Sequence, residues 1–108
     1  MKIELQTFQR QYLKGLAHTL NPVVMIGNNG LTESVMREIA INLDAHELIK
    51  IRVLGDDRDA RVALFEKICD DLGAAPVQHI GKQLVLWRPS DKQRIELPKS
   101  KKALKAQP

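Results

Sequence analysis

The chain is poor in the residues that usually announce a chemistry. Its 108 residues include one cysteine, one tryptophan, one tyrosine and two phenylalanines. A lone Cys69 excludes an internal disulfide and fits a reducing cytoplasm. No apolar run exceeds about four residues, where about 20 are needed to cross a bilayer. The start, Met1-Lys2-Ile3-Glu4-Leu5-Gln6, lacks the apolar stretch of a secretion signal. No Gly-x-Gly-x-x-Gly occurs, and the one glycine loop lacks the Gly-Lys-Ser/Thr ending of a phosphate-binding P-loop. His18, His46 and His79 have neither the mutual spacing nor the cysteine neighbours of a zinc site. No nucleophile and base stand at a convincing spacing. We therefore expect no enzyme, no metal or other cofactor, no small-molecule substrate and no membrane association.

What is present is a single small domain with enough apolar residues, 44%, to fold around one modest core. The charge is unevenly placed. Residues 1–88 hold 11 Lys/Arg and 11 Asp/Glu, so the body is neutral. Residues 89–108 hold Lys92, Arg94, Lys99, Lys101, Lys102 and Lys105 against Asp91 and Glu96, which accounts for the whole net charge of +4. With Pro89, Pro98 and Pro108 and little periodicity, residues 91–108 read as a mobile basic tail after a body of residues 1–90. Such an arm favours polyanions through counterion release, although a solubilising tail has the same composition.

Periodicity gives the order α-β-α-β-α-β-β. The first helix, 7–20, places Leu13, Leu16, Ala17 and Leu20 on one face. A strand at 23–26 follows. After Thr32, a helix carries Val35, Met36, Ile39, Ala40 and Leu43 at helical spacing. In the strand at 48–54, Ile49, Ile51 and Val53 share one face while Lys50 and Arg52 point to the other. A third helix begins near Asp57, in an acidic run with Asp56 and Asp59 that suits a helix start, with core positions Val62, Phe65, Ile68, Cys69 and Leu72. Strands at 77–80 and 83–88 form a hairpin around Gly81-Lys82. The fold expected is α/β (α+β), a four-stranded mixed sheet packed by helices. The first three strands are parallel if adjacent, and the last is antiparallel. The pattern does not fix which face the first helix covers.

The most informative stretch is Val23-Val24-Met25-Ile26-Gly27-Asn28-Asn29-Gly30-Leu31-Thr32. A buried strand leads through Gly-x-x-Gly into a helix capped by Thr32. A turn with no Cβ at either end lets a bulky polyanion approach the backbone. The helix N-terminus behind it adds free N–H donors and partial positive charge. Asn28 and Asn29 tolerate left-handed angles and can hydrogen-bond to bases or a 2′-hydroxyl. A plain strand-to-helix turn would look the same. A second group, Arg10, Lys14 and His18, falls at i, i+4 and i+8 on one stripe of the first helix. That stripe could border the loop, with Lys50 and Arg52 extending it. Each of these cations alone is more simply a solvated surface residue, but together with the loop and tail they point to nucleic acid.

Several blocks carry a family resemblance. Leu16-Ala17-His18 and the stretch from Asn21-Pro22 to Thr32 are followed by His46-Glu47-Leu48-Ile49-Lys50, Asp57-Arg58, Ile80-Gly81 and Leu84-Val85-Leu86-Trp87-Arg88-Pro89. In this order they resemble the CRM (chloroplast RNA splicing and ribosome maturation) domain, most of all the stand-alone bacterial YhbY-like proteins, over about residues 5–90. The resemblance implies a fold similar to the C-terminal domain of translation initiation factor three. It also implies RNA binding through Gly27, Asn28, Asn29, Gly30 and Thr32 with nearby basic residues, and association with ribosomal RNA in precursors of the large (50S) subunit. Two departures stand out: family members often carry a lysine in the loop, where this chain has two asparagines, and Trp87 stands where tyrosine is frequent. KH domains resemble it more loosely, since their Gly-x-x-Gly loop joins two helices. We expect a monomer that binds RNA. A protein-interaction module with a purely structural Gly-x-x-Gly turn is the alternative.

Overall fold

A computed structural model describes residues 2–98. Seven elements follow in the expected order: α1 (Thr7–Ala17), β1 (Val24–Ile26), α2 (Glu33–His46), β2 (Leu48–Val53), α3 (Arg58–Leu72), β3 (Ala75–Ile80) and β4 (Gln83–Trp87). The sheet order is β1-β2-β4-β3. β1 and β2 pair in parallel, whereas β4 runs antiparallel to both β2 and β3. The first three strands therefore share a direction, but β4 is inserted between β2 and β3. The hairpin folds back into the sheet instead of extending its edge. β3 is thus an edge strand, which is where Pro76, with no N–H to donate, sits beside a register shift.

Alternation along the strands feeds two cores, one on each face of the sheet. Val24, Ile26, Ile49, Ile51 and Val53 meet Ile39 and Leu43 of α2 and Phe65, Ile68 and Cys69 of α3. Leu48, Val77, Val85 and Trp87 meet Leu13 and Ala17 of α1. This settles where α1 lies: it covers the face opposite α2 and α3.

Some expected positions shift. α1 stops at Ala17, three residues early, because the His18 and Leu20 N–H groups turn back onto Gly15 and Ala17 ahead of Asn21-Pro22. Leu16 and Leu20 are consequently 39% and 36% exposed instead of core. In α3 the buried position is Arg61, not Val62, which is exposed.

The expected boundary at residue 90 is also corrected. Glu47 ends α2 at a positive φ of 66° and is fully buried. Its carboxylate accepts the Arg94 N–H at 2.8 Å, the Ile95 N–H at 2.9 Å and the Ser90 hydroxyl. Ile95 and Leu97 then pack on the α1-side core. The part of the expected mobile tail that spans 91–98 is therefore laid against the body, and the rest of it lies outside the described residues. Burial pushes the Glu47 carboxyl up, but the Ser90 hydroxyl and the two backbone donors outweigh it and hold it below the usual carboxylate range.

Candidate nucleic-acid interface

The turn between β1 and α2 is held by few bonds. The Gly30 N–H donates to the Gly27 carbonyl at 3.0 Å, and the Thr32 N–H donates to the Gly30 carbonyl at 3.2 Å. The Thr32 hydroxyl accepts the Val35 N–H at 3.2 Å, the N-cap bond expected of it. That leaves the first amides of α2 without intrahelical partners. In the 27–30 turn only Gly30 needs the left-handed region, at φ +71°. The expectation that Asn28 and Asn29 draw on left-handed tolerance is not met: neither has a positive φ. Both side chains are exposed. The turn, Thr32 and Val35 enclose a shallow cavity of about 450 Å³ at the end of α2. No carboxylate lines it, and its donors are backbone N–H groups and side-chain amides. Such donors are chemically suited to an anion with hydrogen-bonding neighbours, such as a phosphodiester beside a sugar or base.

The basic residues divide into two groups. Lys14, His18 and Lys50 line one cavity of about 340 Å³ between the end of α1 and the sheet, again with no carboxylate. Arg52 lies one alternation further along β2, is exposed, and pairs in register with Met25, two residues before Gly27. It is the basic side chain nearest the loop along the strand register. Arg10 does not join them. It lies at the other end of α1, where its guanidinium donates to the Leu5 carbonyl at 3.4 Å. Arg10 and Lys14 keep the expected stripe, one turn apart on α1, but only Lys14 and His18 line the cavity at Lys50. The cause is the direction of α1, which brings only its last turns over Lys50.

Two buried or half-buried arginines, at opposite ends of the sheet, escaped sequence reading. Arg61 is 8% exposed, donates from Nη1 to the Gly55 carbonyl at 3.2 Å, and sets Nε 3.4 Å from His79 Nε2. The visible signal was a cation at a helical core spacing. Arg88 donates to the carbonyls of Leu72 and Ala40 and pairs with Asp44 at 2.7 Å, tying α2 to α3. Asp56 is held below its usual range first by its hydrogen bond to Lys82, 3.0 Å away. Burial pushes the Cys69 thiol up to about 12, so it stays protonated and unreactive near neutral pH. Among the described residues no cluster could hold a metal ion. No helix among the described residues is long and apolar enough to cross a membrane.

The family model described as the CRS1/YhbY (CRM) domain matches residues 5–88, most of the chain and all seven elements. The chain belongs to the CRS1/YhbY (CRM) family. An RNA-binding protein of Haemophilus influenzae is 54% identical over 95 residues, covering 88% of this chain and 96% of that one. YqeI of Bacillus subtilis, named a probable RNA-binding protein, is 33% identical over 91 residues, covering 83% and 95%. The solution structure of a hypothetical protein from Staphylococcus aureus has the same CRM fold, with a TM-score of 0.77 at 36% identity, covering 87% of this chain and 99% of that one.

Proposed function

We propose that this CRM protein is a non-enzymatic RNA-binding module that acts in the cytoplasm as a monomer, on ribosomal RNA in precursors of the large subunit. The observation that carries the reading is the open N-terminus of α2. It is presented by a loop of two glycines and two asparagines with free donors and no carboxylate. A phosphate there meets backbone N–H groups and the positive end of the helix. Arg52, then Lys50, Lys14 and His18, continue a basic path across the α1-side face of the sheet for the adjoining strand. Arg10 sits one turn of α1 back from Lys14, at the far end of that path. The names of its relatives support an RNA partner. A small neutral body with one compact site suits incompletely folded RNA, where local shape rather than long sequence is recognised.

Sucrose-gradient sedimentation of lysate from cells carrying the tagged protein tests this. The expected result is co-sedimentation with large-subunit precursors more than with mature ribosomes, weakening as salt rises and lost in the Asn28→Asp/Asn29→Asp variant. Sedimentation at the top of the gradient at low salt overturns it. The protein-interaction alternative rests on an apolar groove of about 510 Å³ beside α1, lined by Leu16, Leu20 and Val23. Salt-insensitive co-sedimentation that survives the loop variant would favour it.

A further inference from the structure

The Gly27-Asn28-Asn29-Gly30 turn is a wall shared by two cavities, and only one of them is suited to an anion. Gly27 and Gly30 line the cavity at the end of α2 and also a second one, of about 200 Å³, on the side of the β2–α3 turn. The second has an apolar floor that includes Ile26, Val53 and Leu64. Its charged residues are Arg61 and, at the rim, Asp57 and Asp56, the last with its side chain 97% exposed. Arg61 is more than nine-tenths buried, yet no carboxylate pairs with it among the described residues. A guanidinium has five N–H donors. Here Nε faces His79 and one Nη1 hydrogen goes to the Gly55 carbonyl, which leaves the Nη2 edge with no hydrogen-bond acceptor among the described residues, although Asp56 lies near enough to feel its charge. Asp57 uses Oδ1 to cap α3 through the Ala60 N–H, and Asp56 uses Oδ1 to hold Lys82. Each keeps acceptor capacity at the rim.

Two carboxylates keep a phosphate out of this cavity. What suits it is a flat neutral ligand with adjacent acceptors for the guanidinium and adjacent donors for a carboxylate. Guanine alone among the RNA bases has that pattern: O6 and N7 accept along one edge, and N1–H and N2–H₂ donate along another. Adenine sets a donor beside N7, and neither pyrimidine offers an acceptor pair beside a donor pair. A strand crossing the turn with its phosphate at the α2 end would carry the adjoining base to the other side of the same wall. Resting on the RNA-binding reading above, we propose that the cavity between the Gly27–Gly30 turn and the β2–α3 turn takes an unstacked guanine, with Arg61 as the specificity-determining residue.

The test is a fluorescence-anisotropy titration of the whole protein with short single-stranded oligouridine RNAs that carry one central purine. The single-guanosine RNA is expected to bind about tenfold more tightly than its adenosine counterpart, within the usual range for a bidentate arginine–guanine contact. Replacing that guanosine by 7-deazaguanosine, which removes the N7 acceptor, is expected to lose several-fold without altering the protein. Arg61→Lys keeps the charge but not the fork, so it should lower guanosine RNA binding towards the adenosine level. If that variant fails to fold by circular dichroism, the 7-deazaguanosine comparison decides. Equal binding of guanosine and adenosine RNAs, still sensitive to Asn28→Asp/Asn29→Asp, overturns the guanine site and leaves the RNA reading standing. No binding of any of these RNAs, nor of ribosomal RNA fragments, overturns both.

Discussion

After β1 the chain enters α2 through Gly27-Asn28-Asn29-Gly30-Leu31-Thr32, and after β2 it enters α3 through Leu54-Gly55-Asp56-Asp57. The strands are parallel neighbours, so both turns lie at the same end of the sheet. Both helices have a side-chain N-cap, but the caps differ in charge: neutral Thr32 at α2, anionic Asp57 at α3. Asp57 and Asp59 set two carboxylates at the positive end of α3, whereas α2 carries one, Glu33, in its first turn behind an uncharged loop. The far ends differ too. α2 closes on Glu47 at φ 66° and α3 on Gly73 at φ 64°. Gly73 adopts that angle without a Cβ penalty, while Glu47 adopts it and supplies a carboxylate to residues 90–95. One β-α-β unit therefore differs from the other at both ends: its start offers open donors where we propose an anion binds, and its finish holds its own chain.

The sharpest break of that contrast is Glu47→Gln. It removes the charge that accepts two N–H groups and the Ser90 hydroxyl, and turns an amide N–H₂ toward one of these donors. Unfolding free energy at neutral pH is expected to fall by about 2–3 kcal/mol, measured by urea denaturation. Since the carboxyl is held below its usual range in the folded chain, its contribution is present above the unfolded-state value. It fades as pH falls through the folded one. Wild type should thus lose stability across the acidic carboxylate range, and Glu47→Gln should show a flatter profile there.

Next comes Asn28→Asp/Asn29→Asp, which makes the first turn resemble the second. RNA affinity should fall about tenfold, equivalent to about 1.4 kcal/mol, in a titration at moderate salt. The melting temperature should stay unchanged, because neither side chain holds the fold. Unchanged affinity would mean that the difference between the two turns has no bearing on RNA.

Sequence patterning made these turns legible because each is local: an apolar strand, a glycine or acidic punctuation, and a cap within a few residues. It could not disclose partners far along the chain. Glu47 meets Ile95 from 48 positions away, so residues 91–98 read as a free basic tail although they are tied down. The side of the sheet that α1 covers was equally hidden, since an amphipathic helix fits either face. That placement decides why Lys14 and His18 gather at Lys50 while Arg10 does not. At Arg61 and Val62 the period was right and the phase was wrong by one residue, because a buried arginine held by the Gly55 carbonyl outranks an adjacent valine only once that turn has formed.

A smaller effect separates the two glycines of the first turn. Gly30→Ala meets no steric neighbour but forces a side chain into the left-handed region, at a cost of about 1 kcal/mol in thermal unfolding. Gly27 has neither a neighbour within 4 Å nor a positive φ, so Gly27→Ala should leave stability alone. Any RNA affinity it loses then measures how closely the ligand approaches the backbone. The mildest change is Asp59→Asn, which removes a charge from the first turn of α3 and leaves the Asp57 cap in place. RNA affinity should rise about twofold at low salt and show no change at high salt, where the field is screened.

The edges of the sheet bear on how the protein behaves when crowded. One edge, β1, is three residues long; the other, β3, carries Pro76 and a register shift. Each is a poor template for a strand from another molecule, the first through brevity and the second through a missing donor and a broken ladder. At high local concentration these chains should therefore stay dispersed instead of zipping edge to edge into aggregates.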